Sequence, residues 1–240
     1  MSNNLDLFTE AYSSTFPYSL DNNLMLNWYT DRIIDMIQGE SLLELGIGHG
    51  YSSMKFSKAF KRHLVLEGSQ EIINEFQQRF GSNQMEIVNT YFESFFSEEK
   101  FDVIVMGFIL EHVDDPSVIL NKYKYFLKKD GKVYVTVPNC EALNKRIGYE
   151  AGLLKDISSL SEADCALGHK RLFTIKTLRN LVEMSGYRVN KTEGIFLKPI
   201  TTQQIIDLKL SDEILQAMLK VGQNYPELCV GILMELEVNL

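Results

Sequence analysis

From about residue 41 onward, short β-rich runs alternate with helix-length segments, and this rhythm constrains the fold more than any other feature of the chain. SLLELG (41–46), LVLEG (64–68), MEIVN (85–89), FDVIVMGF (101–108) and KVYVTVPN (132–139) are apolar runs bounded by turn residues. Runs of this length, apolar throughout rather than alternating, predict parallel strands buried on both faces. Helical patterns are expected at about 50–60, 70–80 and 116–128. In the last, Val118, Ile119, Tyr123, Phe126 and Leu127 recur at helical spacing behind Asp115-Pro116. Lys129-Asp130-Gly131 then supplies a turn into the next strand. Such alternation implies a mostly parallel sheet with helices on both faces.

Two regions fall outside the rhythm. Residues 1–38 hold an aromatic-rich segment followed by a helical pattern around 23–37 and read as a helical cap on a main domain spanning 39–240. Within that domain, insertions at about 140–172 and 200–222 are expected to cover a substrate. A helix over 174–185 is stopped by Gly186. The late runs YRVNKTEGIF (187–196) and CVGILMELEV (229–238) read as strands of an antiparallel edge. The second of them either lies inside the sheet or forms an exposed edge able to pair with another chain, which leaves monomer and homodimer both open.

Chemistry enters with LLELGIGHGYSS (42–53). A strand ends at Leu45, and Gly46, Gly48 and Gly50 follow at alternate positions ahead of a helix. Glycine permits positive φ and lets a ligand approach the backbone closely. A dinucleotide fingerprint needs G-x-G-x-x-G, and its third glycine position is Tyr51 here, which disfavours a pyrophosphate. Glu44, at the strand's end, is badly placed for a diphosphate and suits a ligand carrying an amino group. Glu67 closes the second strand ~20 residues on, where a carboxylate can take both hydroxyls of a ribose. The pattern implies adenosine without a phosphate.

ELGIGHG (44–50), LVLEGS (64–69), FDVIVMGFILEHVDDP (101–116) and FLKKDGKVYVTVPN (126–139) together resemble the successive motifs of class I S-adenosylmethionine-dependent methyltransferases. The subgroup they are most similar to contains the ubiquinone-biosynthesis O-methyltransferases. The resemblance covers about residues 40–195. It implies a Rossmann-like α/β fold: a seven-stranded, mostly parallel sheet with helices on both faces and an antiparallel edge strand. It also implies a methyltransferase that uses S-adenosylmethionine and releases S-adenosylhomocysteine; a cytoplasmic setting is expected from the cysteine usage and the lack of a secretory pattern. By position, Gly46, Gly48 and Gly50 would pass under the methionine part of the cofactor, with Glu44 near its amino group. Glu67, with Gly68 beside it, would bind the ribose. Glu93 would approach the adenine amino group, with Phe92 or Tyr91 against the ring, and Phe108 would run beneath the cofactor.

The acceptor is expected to be a small metabolite methylated on N or O, with a phosphorylated or sugar-linked molecule favoured. His112 and His169 are the candidate general bases. Against this stand plainer roles, loop ordering for His112 and a surface turn for His169. Lys170 and Arg171 beside His169 would hold an anionic group. Tyr12, Tyr18 and Tyr29 either close over the site or pack the N-terminal helix. Asp114-Asp115 opens a helix rather than chelating an ion, and no metal is expected.

A net charge of −8 and the absence of NPPY or DPPY after the fourth strand disfavour nucleic acid as acceptor. Three scattered cysteines disfavour a disulfide framework or zinc site. The N-terminus shows no secretory pattern, and no uncharged stretch reaches the ~18 residues that would span a bilayer. The competing readings are a nucleotide-cofactor oxidoreductase and a non-catalytic cofactor-binding protein.

Overall fold

A computed structural model of the protein describes residues 18–37, 39–81 and 85–239. Tyr12 therefore lies outside the described residues. Seven strands form one sheet: β1 (Ser41–Leu45), β2 (Arg62–Glu67), β3 (Glu86–Asn89), β4 (Phe101–Gly107), β5 (Leu127–Pro138), β6 (Tyr187–Ile195) and β7 (Gly231–Val238). Their order is β3-β2-β1-β4-β5-β7-β6. The pairings from β3 through to β5 are parallel. β7 runs antiparallel to both neighbours, β5 and β6. Thus CVGILMELEV, whose position the sequence left open, contributes an interior strand, and YRVNKTEGIF supplies the edge.

Helices α1 (Ser19–Met36), α2 (Tyr51–Ala59), α3 (Gln70–Phe80), α4 (Pro116–Tyr123), α5 (Leu143–Glu150), α6 (Glu162–Ala166), α7 (Ile175–Met184), α8 (Thr202–Leu208) and α9 (Asp212–Gly222) surround the sheet. Successive strand residues point to opposite faces. On one face, Leu43, Ile104 and Val135 meet Ile119 and Tyr123 of α4 and Leu178 and Val182 of α7. On the other, Leu42, Val103 and Tyr134 meet Tyr29 and Ile33 of α1, Phe56 of α2 and Leu215 and Leu219 of α9.

Local signals set most boundaries. The Asp115 side chain caps α4 by accepting the Ser117 N–H, with Pro116 in the first turn. Ser69 caps α3. Thr174 and Thr177 form a reciprocal cap on α7. The helix expected over 116–128 is shorter: α4 ends at Tyr123, a 3-10 turn follows over Lys124–Phe126, and Leu127 already pairs with Phe101 in the sheet. The expected turn shows as a register shift in that pairing and as Asp130 at φ 64°.

β1 lies between β2 and β4, so crossovers leave it in opposite directions. The crevice beyond the carboxyl ends of those strands is where open α/β sheets bind ligands. The glycine loop after β1, Glu67 at the end of β2 and the loop after β4 all converge there. Among the described residues, no helix is long and apolar enough to cross a membrane.

Candidate functional site

A cavity of about 690 Å³ opens over this crevice, within the size range of small-molecule sites. Gly46, Gly48 and Gly50 have φ values of 80°, 49° and 78°, a region that L side chains enter at a cost. The loop is pinned by the Gly46 N–H, which donates to the Leu66 carbonyl at 2.8 Å. Gly46 and Gly48 line the cavity. Gly50 packs behind it, where an added Cβ would lie 2.6 Å from the Phe76 ring and 2.7 Å from Phe80.

Glu67 is buried, yet lines the cavity. One of its oxygens accepts the Ile47 N–H at 3.1 Å and the other the Ser69 N–H at 2.8 Å. A carboxylate oxygen can accept more than one hydrogen bond, so a group at this position can shape the glycine loop and also meet a ligand hydroxyl. Glu44 lines the cavity too, and its Oε2 lies 2.9 Å from Nε2 of the buried His63. His63, which sequence offered no role, thereby positions Glu44.

The remaining walls come from the loops after β3 and β4. Gly68, Tyr91, Phe92 and Glu93 line one side, Phe108 and Ile109 another. Phe108 adopts φ 56°, and its N–H donates to the Thr136 carbonyl at 2.9 Å and the Thr136 hydroxyl at 3.1 Å. A bulky residue held at positive φ is strained, and strain of this kind clusters at ligand sites. The Phe108 ring meets Tyr29 edge-on at 5.8 Å. Tyr29 is 2% exposed, and burial, with Glu44 nearby, holds its hydroxyl protonated well above the usual phenol range. It is a fixed wall of core packing and not a closing lid. Tyr18, half-exposed, stands at the rim.

Away from the glycine loop the lining turns polar: Glu111, His112, Asn139, Asn144, Lys145, Asp164, His169 and Lys170. Both candidate histidines are therefore brought together, their rings 4.9 Å apart and edge-on. Burial, then the neighbouring His169, lowers the His112 pKa to about 4, so its ring is neutral near pH 7. His169 Nδ1 lies 3.1 Å from Asp164 Oδ1. Asp164 also accepts the N–H and hydroxyl of Ser161. Burial would raise its carboxyl, but the bonds from His169 and Ser161 outweigh this and hold it well below the usual carboxylate range.

Arg171 requires a correction. Its guanidinium donates to the carbonyls of Leu110 at 2.7 Å, Val113 at 2.5 Å and Asp114 at 2.8 Å. These bonds brace the loop after β4 with a cation that the sequence reading placed on an anionic acceptor, and Arg171 is not among the residues lining the cavity. Lys170 lines the cavity, with its ammonium on exposed Asp114.

Several cavity-lining positions carried no sequence signal. Asp21 of α1 and Lys198 form a buried ion pair on the cavity wall, with the Thr202 hydroxyl donating to Asp21 at 2.9 Å. Asn22 contacts His49 of the glycine loop at 3.3 Å, tying α1 to that loop. Glu111 is 1% exposed, and burial drives its pKa up to about 8 against the weaker pull of its backbone and Arg171.

These residues fit S-adenosylmethionine. The glycine turn admits close backbone approach, Glu67 can meet a ribose hydroxyl, and the cavity extends past the loop into a polar end.

A methyltransferase-domain family model matches residues 25–192. The ubiquinone biosynthesis O-methyltransferase of Glaesserella parasuis is 27% identical over 131 residues, covering 51% of this chain and 55% of that protein. The enzyme of the same name from Aeromonas salmonicida is 22% identical over 192 residues, 76% of each chain. The chain thus spans about half the length of some of the curated relatives it matches. Among solved structures, an S-adenosylmethionine-dependent methyltransferase from Clostridium acetobutylicum aligns over 99% of this chain and 100% of its own, with TM-score 0.62 and 12% identity. The N-methyltransferase NodS from Bradyrhizobium japonicum, solved with S-adenosylhomocysteine, aligns over 97% of both chains with TM-score 0.60 and 13% identity. At such identities the structural likeness speaks for the fold alone. The family match, the sheet order and the glycine loop with its strand-end carboxylate agree, and the chain belongs to the methyltransferase domain family of S-adenosylmethionine-dependent enzymes.

Proposed function

We propose that the protein transfers a methyl group from S-adenosylmethionine to N or O of a small polar metabolite. The observation that carries this reading is the continuity of the cavity. The same cavity is lined by Gly46, Gly48 and Glu67 and by His112, Asn139, Lys145 and His169. A nucleoside-type ligand on the glycine loop would leave the polar end for an acceptor. S-adenosylmethionine supplies an already activated methyl on a sulfonium, so the protein's task is to align the acceptor and exclude water. Tyr29 and Phe108 form a rigid apolar wall beside the loop. His169, with Nδ1 on Asp164, leaves Nε2 as the nitrogen that can take a proton from the acceptor.

The polar lining favours a hydroxyl- or amine-rich acceptor such as a sugar-linked metabolite. With Arg171 committed to the loop and Lys198 to Asp21, a phosphorylated acceptor would rely on Lys145 and Lys170. A net charge of −8 supports a small molecule over nucleic acid. The test is incubation with methyl-labelled S-adenosylmethionine and a panel of sugar-linked, amino and phosphorylated acceptors. The reading expects acceptor-dependent release of S-adenosylhomocysteine with label in the acceptor. Cofactor binding without release on any member of a broad panel would favour a non-catalytic role.

A further inference from the structure

Glu111, His112 and His169 each present a ligand atom, all within 4.8 Å of one another. Two loops far apart in sequence meet there, joined by the Lys170 N–H, which donates to the Glu111 carbonyl at 2.8 Å. Both carboxylate oxygens of Glu111 are buried and have no hydrogen-bond partner among the described residues. Its Oε1 lies 4.0 Å from His112 Nε2. A buried carboxyl group with neither oxygen in a hydrogen bond calls for an explanation: a missing ion, water or ligand.

His169 is prepared in a particular way. Asp164 holds Nδ1 of His169 from behind and is itself fixed by Ser161, which leaves Nε2 free. A carboxylate behind an imidazole is the usual device for fixing the tautomer and orientation of a metal-ligating histidine.

We propose that Glu111, His112 and His169 bind one divalent first-row metal ion at the acceptor end of the cavity. Two imidazoles and one carboxylate suit Mn²⁺, Co²⁺ or Zn²⁺ better than Mg²⁺ or Ca²⁺, which favour all-oxygen shells. All three side chains line the cavity, so ligand positions left open by the protein face the space an acceptor would occupy. An oxygen of the acceptor would complete the shell; a metal-bound hydroxyl would lose its proton more readily, to solvent water, and its oxygen would then take the methyl as the carbon–sulfur bond breaks and S-adenosylhomocysteine leaves. This part rests on the methyltransferase reading. It selects a hydroxyl acceptor and makes the two imidazoles ligands in the metal-loaded protein, where metal polarisation replaces proton abstraction by a ring nitrogen.

The test uses chelator-treated full-length protein titrated with Co²⁺ and followed by visible d–d absorption, with Zn²⁺ competition. S-adenosylhomocysteine calorimetry and thermal melts are run on the same preparations. The site predicts a saturable spectrum that Zn²⁺ abolishes and that disappears in His169→Ala and in the near-isosteric Glu111→Gln. Asp164→Asn, which touches only the orienting group, should weaken Co²⁺ about tenfold to a hundredfold. Glu111→Gln keeps the test intact if His169→Ala does not fold. Folded protein that binds S-adenosylhomocysteine but gives no Co²⁺ spectrum overturns the metal site alone, as does equal Co²⁺ binding by wild type and Glu111→Gln. Metal binding without S-adenosylhomocysteine binding would instead remove the methyltransferase reading and leave the site standing.

Discussion

Replacing Gly50 and Gly46 by alanine separates two tasks that look identical in the sequence. Gly50→Ala forces a side chain into φ 78°, which costs about 1–2 kcal/mol. The new Cβ also meets the Phe76 and Phe80 rings at 2.6–2.7 Å. Phe76 is 3% exposed and has little room to retreat, so overpacking adds about 1–3 kcal/mol. Together these give about 2–5 kcal/mol, a fall in Tm of roughly 4–20 °C for a chain of this size. Gly46→Ala carries similar strain at φ 80°, but its Cβ meets chiefly the Ile109 Cδ1 tip at 2.7 Å, which can swing aside. Its stability loss should therefore stay near 1–2 kcal/mol, roughly 2–8 °C. Ligand affinity should reverse the ranking. Gly46 lines the cavity and Gly50 does not, so calorimetry below both melting points should show Gly46→Ala losing S-adenosylhomocysteine affinity about tenfold and Gly50→Ala much less. A Gly46→Ala protein with wild-type affinity, or a Gly50→Ala protein with wild-type Tm, would refute the reasoning.

Other variants probe the supports of the site. Arg171→Ala removes three charge-assisted bonds to carbonyls, two of them part-buried, and should cost about 2–3 kcal/mol in urea denaturation after allowing for water that replaces them. Unchanged stability with a raised acceptor KM would restore its expected role in substrate binding. Lys198→Ala leaves Asp21 buried without its cation and should cost about 3–5 kcal/mol, whereas Asp21→Leu combined with Lys198→Met should recover most of that loss in the same assay. Burial raises the Asp102 carboxyl, but bonds from Ser41, Lys128 and the N–H groups of Glu40 and Ser41 outweigh it and bring its pKa down to about 2. A depressed folded pKa means the stabilisation is full above the unfolded value near 4 and lost as pH falls toward 2. Melts across that window should steepen in wild type and flatten in Asp102→Asn.

The sheet was legible because its information is local. Five apolar runs with turn residues between them mark the parallel strands, and Asp115-Pro116 announces a helix start. That Gly46, Gly48, Glu44 and Glu67 share one cavity was legible because spacing along two adjacent strands fixes their relative positions. What sequence could not show depends on partners distant in the chain. Asp21 meets Lys198 across 177 positions, and no local pattern links them. Arg171 announced a charge, but its partners are main-chain carbonyls, which every residue carries. Tyr29 shows the same aromatic side chain whether it is lid or core, and only packing against Phe108 decides. Glu111 was passed over beside His112 because its burial without partners is a property of the folded loop.

Calorimetric titration of S-adenosylhomocysteine into the wild-type protein and a Glu67→Ala variant tests the central claim most directly. Hydrogen bonds to a carboxylate contribute about 1.5–3 kcal/mol, so losing Glu67 should weaken binding about tenfold to a hundredfold. Saturable binding by wild type, weakened by that margin in a variant that remains folded, is the result the account predicts. No binding by folded wild-type protein, or equal binding by the two, would contradict it.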